Sequence, residues 1–124
     1  MNDPLSPPAA STPRRYQIAR LESLPPIDCP CGDARRAFAV PGQPASVHLV
    51  NIHADAARHY HRRTTEIYVV LEGEGEIELD DEVLPLSPLT TVLIQPGCRH
   101  RARGRLRILN FAVPAFDPTD EFFD

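Results

Sequence analysis

His59 and His61 stand one residue apart in the stretch HYHRRTTE, and Glu66 follows five positions after His61. In an extended backbone, residues two apart point the same way and lie about 6.6 Å apart, at roughly 3.3 Å of rise per residue. Both imidazoles then converge on one point. Arg62 to Thr65 reset the register, and Glu66 opens the next strand with Tyr68 and Val70 on its face. A third imidazole, His100, comes from the distant PGCRH. Three imidazole nitrogens and one carboxylate oxygen suit a borderline divalent ion, and an octahedral ion would keep two positions for water or substrate. The competing reading is a polar turn between strands, with both histidines solvated.

Strands are what must position these groups. ASVHLVNI (45–52), EIYVVLE (66–72), GEIEL (75–79), EVLPL (82–86), TTVLIQ (90–95) and RLRILNFAV (105–113) are short, rich in Val, Ile, Leu and Thr, and bounded by Gly, Pro or Asp. Their spacing predicts an all-β sandwich or barrel. EGEG and DD read as hairpin turns, Ser87-Pro88 as a tight reversal, and Ala54 to Arg58 as at most one helical turn. In CRHRARGRLRILNF the arginines fall at 99, 101, 103, 105 and 107, with His100, Ala102, Leu106 and Ile108 between them. A period of two puts the guanidinium groups on one face and His100 with the core residues on the other. The stripe reads as a solvated outer face paired with Glu74, Glu76 and Glu78. Without interleaved aromatics it is a poor nucleic-acid platform.

The remainder of the chain is punctuated by proline. Residues 1–15, with Pro4, Pro7, Pro8 and Pro13, offer too little apolar surface to offset ordering and are expected to be a disordered tail. Residues 16–44, broken by Pro25, Pro26 and Pro30, read as an irregular arm with short extended pieces that packs on the barrel or on a partner subunit. At 124 residues and 42% hydrophobic content the chain has one core and one domain. A net charge of −4 with mixed signs argues against nucleic-acid and membrane partners and for a small molecule or a second copy. No segment resembles a signal peptide or a membrane span, which makes the cytoplasm the expected location. Cys29, Cys31 and Cys98 form an odd set, expected to be reduced.

Taken together, His59-x-His61, Glu66, Gly73 and the later Gly97-x-x-His100 resemble the two sequence motifs of the cupin superfamily, over Ser46 to about Pro114. The resemblance implies a single-domain jelly-roll β-barrel (double-stranded β-helix) over residues 45–124, behind the irregular N-terminal arm. It implies one divalent metal ion, iron, manganese, nickel or zinc, held by His59, His61, Glu66 and His100. Gly73 would then permit a hairpin after the first motif, and Gly97 the turn that presents His100. The chain departs from the pattern at His53 and Leu89, where glycines are usual, at Gln95, where proline is usual, and at Gly104, where asparagine is usual. None of these supplies a ligand in the family. The CPCG arm and the ending VPAFDPTDEFFD are similar to those of a group of small single-domain bacterial cupins, which implies that both belong to the fold.

Several residues carry two readings. Cys29-Pro30-Cys31-Gly32 is a ligand pair or a plain turn, and lacks the second half of a zinc knuckle. Cys98 is a thiol at the barrel mouth or a small buried side chain. Tyr68 shares the face of Glu66, so it either offers its hydroxyl to a substrate as a catalytic group or fills the barrel. His48 and His53 are partners of a metal ligand or ordinary core and solvated histidines. Functionally, this describes a metal-binding cupin acting on a small polar or anionic molecule, a ligand set compatible with an oxygenase, decarboxylase or isomerase. The alternative is a non-catalytic cupin that binds or senses a sugar or other small ligand. Ile67, Val69 and Leu71, on the face opposite Glu66, predict a homodimer through the outer sheet.

Overall fold

The computed structural model describes residues 14–124; most of the expected disordered tail, residues 1–13, lies outside the described residues. In these residues nine strands make one antiparallel sheet: β1 (Ile27–Cys29), β2 (Gly32–Ala37), β3 (Ser46–Ile52), β4 (His59–Tyr60), β5 (Thr65–Leu79), β6 (Glu82–Leu86), β7 (Thr91–Ile94), β8 (His100–Val113) and β9 (Phe122–Phe123). Among the described residues the helical elements are two 3-10 turns, Leu21–Ser23 and Pro118–Asp120. None is long and apolar enough to cross a membrane. Residues 54–58 form no helical turn.

The sheet runs β1-β2-β3-β8-β4-β9, with β5 paired to β8 and carrying β6 and β7 on its other edge. The long pair β5 and β8 is the spine, and the sheet curls around it into a half-barrel. The segment read as an irregular arm contains the β1–β2 hairpin, and β2 pairs with β3 from Gly32↔Ile52 to Ala37↔Val47. Its extended pieces thereby continue the sheet.

Inward side chains follow the period of two. Val70, Ile77, Ile94, Leu106 and Ile108 fill the core with Ala34, Val50, Ile52 and Leu86. Each fully buried branched side chain of this kind contributes roughly 1.5–3 kcal/mol. On β8 the arginines point outward, and His100, Ala102, Leu106, Ile108 and Asn110 are buried.

EGEG is not a turn, which corrects the reading of Gly73 as a hairpin residue. β5 continues through it, and Leu71 is the extra residue between the rungs Val70↔Ile108 and Glu72↔Arg107. This bulge shifts the inward set from Glu66, Tyr68 and Val70 to Gly73, Gly75 and Ile77. Glycine is required at 73 because a Cβ there would lie 2.0 Å from the carbonyl oxygen of Arg105, and its φ is +90°. The reversals at Asp80-Asp81 and Ser87-Pro88 stand as expected: Leu79 pairs with Glu82, and Thr90 N donates to the Ser87 carbonyl at 3.0 Å. Leu89, at a position where cupins usually carry glycine, has a left-handed φ of 71°.

Candidate metal centre

β4 sets His59 directly opposite His100 on β8, two residues on His61 leaves the strand, and Glu66 begins the inward set of β5. Their ligand atoms all lie within 4.8 Å of one another. His61, Glu66 and His100 are buried, and His59 is half-buried. The four residues read from the motifs are therefore one cluster, compatible with a single metal ion.

The backbone orients every imidazole in it. Nδ1 of His59 meets the Ala57 carbonyl at 3.1 Å, Nδ1 of His61 the Asp120 carbonyl at 2.7 Å, and Nδ1 of His100 the Cys98 carbonyl at 2.9 Å. A carbonyl only accepts, so each Nδ1 carries the hydrogen and each Nε2 faces the cluster. Metal-ligating histidines are commonly fixed by such a bond at the other ring nitrogen. Nε2 of His61 and of His100 each stand 3.0 Å from Oε1 of Glu66. The His61 Nε2 is nevertheless buried without an aligned hydrogen bond, an orphaned ligand atom that a cation would engage. The residues fit a divalent ion.

Charge is distributed accordingly. Burial works to raise the Glu66 pKa, but the imidazoles of His100 and His61 hold it well below the ordinary carboxylate range. Burial likewise works to lower the His61 pKa, yet the Glu66 carboxylate and the Asp120 carbonyl lift it to about 9. Burial, with His100 beside it, lowers the pKa of His59. The ion-free cluster thus holds a protonated His61 against an ionised Glu66, and a cation bound there would have to displace that proton.

The turn before β5 is fastened from the far end of the chain. The buried carboxylate of Asp120 accepts from the backbone N–H groups of Arg62, Arg63 and Thr64, each at 3.1 Å, and from the Thr64 hydroxyl at 3.0 Å. Phe122 stacks on Tyr60, and β9 pairs with β4. Gly97, φ +90°, donates its N–H to the His61 carbonyl at 2.7 Å and so ties the two motifs together.

A cavity of about 140 Å³ opens beside the cluster, lined by Tyr68, Arg36, His48 and Asn110 along with His59, His61 and Glu66. That is close to the roughly 150 Å³ that admits a benzene ring. Tyr68 stays a neutral phenol, because burial and then the Glu66 charge push its pKa above the ordinary value. His48 is buried, 2.9 Å from the Ser46 hydroxyl, and its pKa falls to about 4 through burial and then Arg36. His53 is exposed and lies 3.7 Å from Asp33, away from the cluster.

All three cysteines are free. Pro30 and Cys31 form the β1–β2 turn, and Cys29 and Cys31 line the cavity with Sγ atoms 2.8 Å apart. Burial and then Cys29 push the Cys31 thiol up to about 12, so it is protonated at neutral pH. Cys98 packs against the core and is no part of the cavity lining.

Sequence reasoning missed Arg36, Asn110 and Asp120, and also Glu121, which lines the cavity 3.8 Å from His59. Asn110 had a signal, since it shares the parity of His100. Arg36 and Asp120 had none, because their facing is set by partners distant in sequence.

The sequence profile of the cupin domain family matches residues 46–107, and a crystal structure of a protein from Planctomyces limnophilus is 42% identical over 87% of this chain and 96% of its own, with a TM-score of 0.82. The chain belongs to the cupin family. Two further structures share the fold of this cupin at lower identity. Pac13 of Streptomyces, a nucleoside dehydratase, is 21% identical over 88% of this chain and 90% of its own, with a TM-score of 0.75. Ectoine synthase from P. lautus is 24% identical over 82% of this chain and 80% of its own, with a TM-score of 0.66. No curated protein sequence matches this cupin.

Proposed function

We propose that this cupin binds one divalent ion through His59, His61, Glu66 and His100 and acts on a small polar or anionic molecule held in the adjoining cavity. The observation that carries the reading is the set of three Nδ1–carbonyl bonds, which aim three Nε2 atoms at the Glu66 carboxylate. When bound, the ion would act as a Lewis acid toward a substrate oxygen.

The chain's own groups divide the remaining work. Tyr68, neutral and facing the cavity, donates a hydrogen bond or a proton to the substrate as the catalytic group. Asn110 donates to Oε2 of Glu66 at 2.7 Å and holds that carboxylate in place. Glu66 is thereby engaged on both oxygens and is unsuited to serve as a free base. Oxygenase, decarboxylase and isomerase chemistries share such a ligand set. Two structural neighbours named as enzymes, a nucleoside dehydratase and ectoine synthase, lend support to catalysis over non-catalytic binding.

Metal analysis of the purified, reconstituted protein tests the reading. The expected result is about one ion per chain, with His61→Ala losing most of it. A folded wild type that stays metal-free after exposure to iron, manganese, nickel and zinc would sink the four-ligand site.

Residues 45–124 are taken as the barrel and 16–44 as an arm upon it, and the β2–β3 pairing supports the packing of that arm on the barrel. A homodimer through the outer sheet is supported by exposed Leu71 and Leu93 beside half-buried Ile67 and Val69. Light scattering at micromolar concentration should report twice the chain mass. The odd set of free thiols fits a reducing compartment such as the cytoplasm.

A further inference from the structure

The register of the sheet places Arg36 opposite His48, His48 opposite Asn110, and Asn110 opposite Tyr68. Directly opposed residues in antiparallel strands share a face, so these side chains form one polar row across β2, β3, β8 and β5. All four line the cavity. The neighbouring row is apolar: Ala34, Val50, Ile108 and Val70, from the same four strands. A barrel interior that served packing alone would carry apolar side chains in both rows.

Two atoms of the polar row are buried without a partner, Nε of Arg36 and Oδ1 of Asn110. Buried polar atoms are nearly always satisfied, and a pair left open in one cavity points to a ligand that completes both. The Arg36 guanidinium lies over the Phe116 ring, 4.4 Å from its centroid, which fixes its plane without neutralising its charge. Among the described residues no carboxylate forms an ion pair with it. The orientation of Asn110 is settled by its neighbour. Its Nδ2 donates to Glu66, and the flipped amide would set oxygen against a carboxylate.

We propose that this row recognises a small carboxylic acid bearing a hydroxyl or amino group, with Arg36 receiving the carboxylate and Oδ1 of Asn110 accepting from the hydroxyl or amine. A guanidinium presents two parallel N–H groups that match a planar carboxylate. One cation and a cavity of about 140 Å³ suit a monoanionic group on a few-carbon molecule better than a phosphate ester. Arg36 stands two strands from Asn110, about 10 Å between backbones at the usual strand spacing, and both side chains line the cavity between them. A short ligand bridges the two and leaves its other end toward Glu66. The inference deepens the proposed reading of the cavity as a substrate pocket and rests on it.

Calorimetric titration of the metal-reconstituted protein with malate, lactate and serine, and with malamide as the uncharged counterpart of malate, tests it. At least one of the three acids should bind, with malate at least tenfold tighter than malamide if malate is that ligand. Arg36→Gln should weaken the binding acid at least tenfold, Arg36→Lys should restore part of the loss, and metal content and melting temperature should match wild type in both. If malate is that ligand, succinate, which lacks the donor, should bind more weakly than malate, and in every case inorganic phosphate should bind more weakly than the binding acid. Equal binding of charged and neutral probes, an unaffected Arg36→Gln protein, tighter binding of phosphate, or no binding of any acid would each overturn the proposal. Repeating the titration on chelator-treated protein separates the two readings: an acid preference that persists there, and is lost in Arg36→Gln, supports the row whether or not a metal is held.

Discussion

On the outside of the barrel, Arg101 and Arg103 of β8 pair with Glu78 and Glu76 of β5 at 2.7 and 2.6 Å, within reach of water. On the inside, His100 and Asn110 of the same strand meet Glu66 at 3.0 and 2.7 Å, and Glu66 is 4% exposed. Similar distances carry different consequences. Water and salt screen the outer pairs, so each contributes little to stability and the set serves solubility and register. Nothing screens the inner groups, and removing one strands its partners in a medium that solvates them poorly. A buried polar group in this protein is therefore a geometric instruction, whereas an exposed one is largely interchangeable.

The largest effect should come from Asp120→Ala. Three backbone N–H groups and the Thr64 hydroxyl lose their acceptor, at a cost of roughly 3 to 5 kcal/mol in denaturant unfolding. Retention of wild-type stability would erase the distinction between inside and outside.

His48 comes next. Its folded pKa of about 4 lies below the ordinary 6.5, so as pH falls the unfolded chain takes up the proton first. Its contribution is complete above about pH 6.5 and shrinks as pH drops toward 4, by roughly 3 kcal/mol in all. His48→Gln should flatten the difference in unfolding free energy between pH 7 and pH 4.5 relative to wild type.

The pH dependence of metal affinity sharpens the contrast further. Because His61 holds its proton up to about pH 9 in the ion-free protein, affinity should climb by up to about tenfold per pH unit between 7 and 9 and then level off. Competition against a chelator of known affinity reads this directly. A flat profile would mean that the proton on His61 does not compete with the ion.

The smallest effect belongs outside. Glu78→Gln should lower the melting temperature by no more than a few degrees, and by less in high salt. A loss as large as that of Asp120→Ala would show that the outer ladder holds the barrel together.

What the sequence disclosed follows the same division. Alternation along Arg99 to Ile108 revealed both faces of β8, because a period of two survives in the letters of one strand. Spacing alone left His59, His61 and Glu66 between a metal site and a polar turn, and the resemblance to the cupin motifs joined them with His100 into the set that the structure brings together. Tyr68 followed from Glu66 by the period of two. Gly73 was misread because a glycine that allows a turn and one that allows a close strand approach look alike until the partner strand is present. Arg36 was illegible for a related reason: its inward direction is decided by pairing with β3, and its proline-broken neighbourhood shows no alternation. Asn110 needed only the parity of His100 carried ten residues further.

The carboxylate of Asp120 has one more consequence, in time instead of energy. The turn of Arg62 to Thr64 waits for a residue more than fifty positions downstream, and the orienting carbonyl for His61 belongs to that same residue. A ribosome making this chain will have released the first motif, His59 to Glu66, well before that residue emerges. The nascent sheet can collapse around its apolar rows by then, but His61 remains unaimed until Asp120 has emerged, whereas His59 and His100 take their direction from the nearby Ala57 and Cys98 carbonyls. An ion held at the proposed centre would thus gain its His61 ligand only after Asp120 has emerged.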